Sequence, residues 1–172
     1  AEELPLHPAS VSFVTLPEWS ALVPEGALES GSESRHLGLV HGGLPTGALR
    51  DEPVPDIGAT CIYVHDDEQE RQVLDRYPSA RPVPMCTLML RGALARSSNQ
   101  AVMFLHRGHD RLDLAIADRG RLLLSNTYPA RSSQDMLYFA LLAVDGCGLQ
   151  PKDVRVEHGG THLGTHEVSL LE

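Results

Sequence analysis

The chain has 172 residues, of which 42% are hydrophobic and 22% are charged, which is enough for one ordinary domain or two small lobes. Its formal net charge of -9 argues against a nucleic-acid partner, because such a partner needs a basic surface. The sequence contains no apolar run of the roughly 18 residues that a membrane span needs, and its first residues do not have the pattern of a signal peptide. Three widely spaced cysteines predict free buried thiols in a reducing compartment, and hence a cytoplasmic location: Cys61, Cys86 and Cys147.

The first third of the chain predicts short strands separated by loops. Val11 to Leu16 has the composition of a strand, and an apolar patch follows over residues 19–23. Residues 25–34 are predicted as a short turn of helix and then a loop, and residues 36–41 as a strand that ends at a pair of glycines. The segment 44–58 contains three prolines, so we expect it to be irregular or an edge strand.

A strand and two helices are predicted next. Residues 59–64 form a compact apolar strand, and Asp66 and Asp67 offer a helix N-cap after it. The helix is expected over about 67–77, with Pro78 as its stop, and a second helix over about 84–95. The acidic residues 66–70 are interpreted as a helix N-terminus, which favours negative charge, in preference to a cation site.

The second half predicts a meander of three antiparallel strands, a helix and a further strand. The meander covers residues 100–128 and turns at two glycine-containing hairpins. Ser132 and Asp135 resemble a capping box for a helix over 132–146, and a strand follows at 153–158. This β-β-β-α-β order indicates a mixed α/β sheet with helix cover.

Particular segments resemble one bacterial family. They are Leu22 to Leu28 ("LVPEGAL"), Leu122 to Tyr128 ("LLLSNTY") and residues 132–142 ("SSQDMLYFALL"). The chain resembles, over about residues 12–160, the domain-of-unknown-function 3822 (DUF3822) family, which is similar to the actin, heat-shock-70 and sugar-kinase superfamily. The resemblance implies a ribonuclease-H-like, actin-like fold, with a partial first lobe over residues 1–98 and a second lobe over residues 99–172.

The chain departs from the family pattern at both ends. The resemblance implies a strand meander and a helix before the LVPEGAL segment, and a final helix after Gly160. We therefore expect this chain to be a fragment or a gene product shortened at both ends. The meander that is lacking would carry one of the two phosphate-binding loops of an actin-like ATPase.

The second phosphate loop would fall in the hairpin over residues 100–117. Actin-like ATPases have a glycine-rich turn with Asp and Ser or Thr there, whereas residues 106–111 contain one glycine and no Ser or Thr. We therefore favour a solvated hairpin turn, and a plain turn at the glycine pair after the last strand. In the alternative interpretation, in which nucleotide binds, the site residues are Arg107, Gly108, Asp110, Asp113, Gly159 and Gly160.

Histidine is abundant, with nine residues. A zinc site would need several imidazoles to converge, and the four-residue spacing near the C-terminus would achieve this only on a helix. Three glycines in that segment make a helix improbable, so no metal is predicted. The histidines that remain as candidates are His106, His109, His158, His162 and His166.

These observations favour a non-catalytic scaffold or assembly partner with a degenerate nucleotide site. We expect no cofactor and no transmembrane segment, and a partner that is another protein or a second copy of the chain. Enzyme status stays open, leaning towards a protein that is not an enzyme. The alternative is an actin-like ATPase or a sugar-kinase-like phosphotransferase that binds ATP with Mg²⁺, and a weaker alternative is a histidine-rich metal-binding domain.

Overall fold

A computed structural model describes residues 10–65, 67–161 and 168–169. The chain divides into two compact units, Ala1–Met85 and Cys86–Glu172, which are called the N-terminal and C-terminal units below. This division places the helix over residues 85–96 almost entirely in the C-terminal unit, whereas the sequence boundary was at 98/99. Among the described residues, no helix combines the length and the hydropathy that a membrane crossing requires.

The N-terminal unit contains two small sheets. Strands β1 (Ser12–Thr15) and β5 (Arg81–Pro84) pair in parallel. The second sheet is antiparallel in the order β2-β4-β3, formed by Ser20–Pro24, Ala59–Val64 and Leu49–Val54. The predicted strands at the start of the chain and at 59–64 are confirmed, and the proline-containing segment 44–58 supplies β3 at a sheet edge.

The strand predicted over residues 36–41 is wrong: Glu33–His41 forms helix α1. Leu37 is fully buried, whereas Leu39 and Val40 are largely exposed, so the apolar residues do not alternate as a strand requires. Leu37 packs with Ile62 and neighbouring residues of the sheet, and this contact outweighs the strand-like composition. Gly42 ends the helix in a left-handed conformation (φ 76°), and its N–H donates to the carbonyl of Gly38.

Helix α2 (Asp67–Leu74) follows β4, at the position that the sequence indicates. A further turn extends it, because the N–H of Tyr77 donates to the carbonyl of Val73 at 2.8 Å. Asp66, which is predicted to cap this helix, lies outside the described residues. Strand β5 was not predicted, since two of its four residues are proline and its partner β1 is distant in sequence.

The C-terminal unit contains a four-stranded mixed sheet in the order β8-β7-β6-β9. Strand β7 is antiparallel to both of its neighbours, and β9 is parallel to β6. The predicted meander, helix and final strand are confirmed to within one or two residues. The elements are helix α3 (Met85–Arg96), β6 (Ala101–Arg107), β7 (Arg111–Asp118), β8 (Arg121–Pro129), helix α4 (Ser133–Gly146) and β9 (Val154–Gly160).

Helix α4 covers one face of this sheet. Its buried residues Met136, Ala140 and Ala143 pack with Leu114 and Ile116 of β7 in a continuous apolar core. The helix begins with the predicted capping box. The Ser132 hydroxyl accepts from the N–H of Asp135 at 3.1 Å, and the Asp135 carboxylate accepts from the N–H of Ser132 at 3.0 Å.

Helix α3 contacts the sheet through Gly92 and Phe104. A Cβ atom added to Gly92 would lie 2.8 Å from the Phe104 ring, so only glycine allows the helix to approach β6 this closely. Every residue of β7 from Leu112 to Ala117 is buried. The strand is therefore covered on both faces, although large apolar residues alternate in it with polar or small ones.

Candidate functional site

The candidate site of the C-terminal unit is a row of polar side chains across three strands. His106 of β6 lies directly opposite Asp113 of β7, and Asp113 lies opposite Thr127 of β8. Arg111 is two residues before Asp113, so it lies on the same face of the strand. The sheet register therefore gathers three polar side chains around one carboxylate.

The Asp113 carboxylate accepts four hydrogen bonds. Arg111 donates two of them, from Nη2 to Oδ1 at 2.5 Å and from Nε to Oδ2 at 3.2 Å. Thr127 Oγ1 donates to Oδ1 at 2.7 Å, and His106 Nδ1 donates to Oδ2 at 3.1 Å. A carboxylate has about four lone-pair positions. Its acceptor capacity is therefore filled by protein donors, and the Asp113 side chain is only 2% exposed.

Burial by itself raises the pKa of Asp113. The hydrogen bonds from His106, Arg111 and Thr127, together with the Arg111 charge, outweigh burial and hold the pKa below its ordinary value. Asp113 is therefore a carboxylate at neutral pH, and His106 must carry its proton on Nδ1 in order to donate to it. The arrangement is a buried ion pair whose hydrogen bonds are complete.

Three more of the predicted nucleotide residues lie at the turn between β6 and β7. The N–H of Gly108 donates to the carbonyl of Arg111 at 2.9 Å and closes the hairpin. Arg107 Nη1 donates to the carbonyl of Ser132 at 3.1 Å, beside the start of α4. Asp110 is exposed on the turn, and its carbonyl accepts from the N–H of Ala130 at 3.0 Å. The backbone of this turn is used to close the hairpin.

Strand β9 brings one predicted glycine to the site and leaves the other outside it. Gly160 has a φ of 96°, and a Cβ atom there would lie 2.3 Å from the carbonyl oxygen of Arg107 and 2.7 Å from the His106 ring. Glycine at this position lets the end of β9 lie against His106. Gly159 is exposed, and a Cβ atom there would meet no other atom within 4 Å.

The candidate histidines are not gathered at one place in the described residues. His106 is bound to Asp113, and His109 and His158 are exposed. His162 and His166 lie outside the described residues. Within the described part of the chain, no three side chains of His, Cys, Asp or Glu form a group that would hold a metal ion.

None of the three cysteines forms a disulfide, as predicted, but the predicted burial holds fully only for Cys61. Cys61 is buried, and Cys86 and Cys147 are half-buried. Burial raises the pKa of the Cys147 thiol, so the uncharged and poorly nucleophilic form prevails at neutral pH.

A second buried carboxylate lies in the N-terminal unit and was not assigned a role from the sequence. Glu70 of α2 is buried, and the acidic run that contains it is interpreted from the sequence as a helix N-terminus in preference to a cation site. Its Oε2 atom lies 2.8 Å from Arg50 Nη2 and 3.3 Å from His65 Nδ1. The sequence does contain a signal for this burial. On a helix, Glu70 lies three and four residues before Val73 and Leu74, and therefore on the same side as these apolar residues.

Comparison with known proteins fits this architecture. The sequence profile described as "Protein of unknown function (DUF3822)" matches residues 13–168, which is most of the chain. The chain belongs to the DUF3822 family. This confirms the resemblance on which the fold expectation depended. No curated protein matches the sequence significantly.

A solved structure from Bacteroides thetaiotaomicron resembles the chain with a TM-score of 0.77 at 18% sequence identity. It is described as a protein with an actin-like ATPase fold and unknown function. The match covers 94% of this chain and 63% of the other, so the chain spans less than two thirds of the length of that protein. The DUF3822 chain therefore has the actin-like fold that the family resemblance implied.

Proposed function

We propose that this DUF3822 protein is a non-catalytic actin-like scaffold or assembly partner. In this proposal the hairpin that would hold nucleotide phosphate has become a structural part of the sheet. The partner is another protein or a second copy of the chain.

The filled hydrogen-bonding capacity of Asp113 carries this proposal. A carboxylate that orients the metal-bound water of a phosphotransferase needs free lone pairs towards the solvent. Asp113 instead accepts from Arg111, Thr127 and His106, and its side chain is 2% exposed. The adjacent turn has a single glycine and no hydroxyl side chain, which leaves few groups to hold a phosphate.

The outer face of α4 supports the role of a partner-binding protein. Three large side chains on successive turns of this helix are 61%, 45% and 46% exposed: Tyr138, Leu141 and Leu142. Aromatic and aliphatic side chains grouped in this way are typical of protein interfaces. The face is an alternative to the nucleotide site as the functional surface of the C-terminal unit.

Nucleotide binding is tested by isothermal titration calorimetry and thermal-shift titration with Mg-ATP and Mg-ADP. We expect no heat of binding and no rise in melting temperature at millimolar nucleotide, because a ligand that binds the native state must stabilise it. A rise that is lost in Arg107→Ala would overturn the proposal and establish the alternative, an ATPase or a phosphotransferase.

The partner surface is tested by placing a photo-crosslinking amino acid at position 138 of the full-length protein in cells. We expect one defined cross-linked species, either a dimer of the chain or one other protein, which is lost when Leu142→Ser is added. The same residue placed at the exposed position 152 is the control. Equal cross-linking at both positions would contradict a specific interface on α4.

A further inference from the structure

The N-terminal unit contains a cavity of about 500 Å³. Its wall consists of residues 13–18, which are the end of β1 and the three residues after it, together with Val64, His65, Glu70 and Val73. The size is within the range of small-molecule sites, about 300–1,000 Å³. Phe13, Val14 and Val73 give it an apolar wall, and a few polar side chains interrupt that wall, as in a ligand-binding site.

Three side chains of this wall carry buried polar atoms that have no hydrogen bond to the described residues. They are Thr15 Oγ1, His65 Nδ1 and both carboxylate oxygens of Glu70. Oε2 of Glu70 lies close to Arg50 and His65, but neither contact has the alignment of a hydrogen bond. The Glu70 side chain is 3% exposed and that of His65 is 9% exposed. Buried polar groups are nearly always hydrogen-bonded. We therefore expect a bound ligand to supply the hydrogen-bond donor that the Glu70 carboxylate lacks at the cavity wall.

The charges around the cavity favour a cation. Glu18 and Glu70 belong to its wall, and Asp67 lies 3.4 Å from His65. Arg50 is the guanidinium that pairs with Glu70. Among the described residues named here, three carboxylates and one guanidinium therefore lie at or beside this wall. Burial first, and then the Glu70 charge, raise the pKa of nearby Tyr63 to about 12, which keeps that phenol uncharged.

We propose that this cavity binds a small organic cation: a primary amine or amidine that donates to Glu70, carried on an apolar body that packs on Phe13, Val14 and Val73. A donor next to Glu70 would supply the hydrogen bonds that its oxygens lack. The apolar body would cover the apolar wall of the cavity and exclude water from it. This proposal is independent of the scaffold function of the C-terminal unit.

The test uses three probes with the same six-carbon body and different head groups: hexylamine, hexan-1-ol and hexanoate. Binding to the whole chain is measured by calorimetry and by amide chemical-shift changes in ¹H–¹⁵N spectra. We expect hexylamine to bind with a Kd of about 1 mM or tighter, a reasonable affinity for so few atoms. We expect hexan-1-ol to bind at least tenfold more weakly and hexanoate not to bind. The shifted amides should lie in residues 13–18, 64–65 and 70–73.

Variants separate the carboxylate from the cavity shape. Glu70→Gln keeps the shape and should weaken hexylamine binding at least tenfold. Glu68→Gln removes a charge from an exposed position of the same helix and should change binding less than twofold. Val73→Phe keeps Glu70 but fills the cavity, and it should abolish binding in a protein whose folding is confirmed by its spectrum.

The proposal is overturned if hexan-1-ol or hexanoate binds as tightly as the amine, or if no probe binds. It is overturned equally if Glu70→Gln folds and binds hexylamine like the parent. If Glu70→Gln does not fold, Val73→Phe decides: unchanged amine binding by that variant would show that the amine binds outside the cavity.

Discussion

Each unit buries one carboxylate beside an arginine and a histidine, but the two clusters are completed differently. Asp113 of the C-terminal unit accepts four hydrogen bonds, including two from Arg111. Glu70 of the N-terminal unit lies next to Arg50 and His65 but accepts no hydrogen bond from the described residues. The same three residue types therefore give a completed network in one unit and an incomplete one in the other.

This difference is the basis of the two proposals, a structural role for Asp113 and a ligand at Glu70. Asp113 lies in the middle of a sheet whose register presents donors from the neighbouring strands, so it acts as a structural centre. Glu70 is on a helix at the wall of a cavity. A buried charge with incomplete partners costs free energy, and such costs are typical of binding sites.

Asp113→Asn should give the largest loss of stability. The neutral amide cannot balance the charge of Arg111. Its NH2 group is also a hydrogen-bond donor, and it would face the donors of Arg111, Thr127 or His106. We expect the free energy of unfolding to fall by about 3 kcal/mol, as for other buried pairs that lose one partner. Urea denaturation measures this. Asp110→Asn, on the exposed turn of the same hairpin, should change it by less than about 0.5 kcal/mol, and equal losses in the two variants would contradict the structural role of Asp113.

Gly160→Ala should have the second-largest effect. The new Cβ atom would lie 2.3 Å from the Arg107 carbonyl oxygen, in a backbone conformation with φ of 96°. We expect a loss of about 2 kcal/mol, together with a shift of the His106 ring resonances, because β9 must move away from that ring. Gly159→Ala is the matched control, and we expect almost no change. A stable Gly160→Ala variant with unshifted His106 signals would show that this close approach is unimportant.

Glu70→Gln should affect stability far less than Asp113→Asn. Its carboxylate accepts no hydrogen bond from the described residues, and the side chain of its ion-pair partner Arg50 is 36% exposed and can be solvated by water. We expect a change of at most about 1 kcal/mol in either direction, measured by urea denaturation. A loss as large as that of Asp113→Asn would show that the two clusters have the same structural role.

The pH dependence of stability should show the smallest effect. The folded-state pKa of Asp113 lies below its ordinary value of 3.8, so its stabilisation is complete above that pH and is lost as the pH falls through the folded pKa. As the pH falls below 4, the free energy of unfolding of Asp113→Asn should therefore decrease by less than that of the parent. Unfolding free energies measured at a series of acidic pH values would show this, and Asp110→Asn should keep the steep parental decline. Parallel curves for Asp113→Asn and the parent would contradict the lowered pKa.

Local patterns predicted most of the C-terminal unit. Alternation in β6 and β7, the glycines of the two hairpins and the Ser132–Asp135 capping box act between residues close in sequence. Each of these patterns depends only on residues a few positions apart, and for that reason the sequence predicted the β-β-β-α-β order correctly. The fold assignment also needed the family resemblance, because this order alone occurs in more than one architecture.

The site was predicted only in part. Arg107, Gly108, Asp113 and Gly160 were named as candidates, and the structure brings them to one end of the C-terminal sheet. His106 was considered only as a metal ligand, and Thr127 was not considered, because their shared contact with Asp113 depends on strand register. Whether any of these residues binds nucleotide stays a prediction.

The sequence by itself determined the periodic elements, their caps and turns, and membership of the DUF3822 family, since these depend on short-range geometry and residue type. Tertiary structure alone decided that residues 33–41 form a helix, that β5 pairs with β1, and that Asp113 and Glu70 are buried. An apolar-polar alternation tells which side chains share a face. The alternation does not tell whether a second layer of structure covers the other face. That second layer determines whether a polar side chain contacts water, a hydrogen-bond donor of the protein or a ligand.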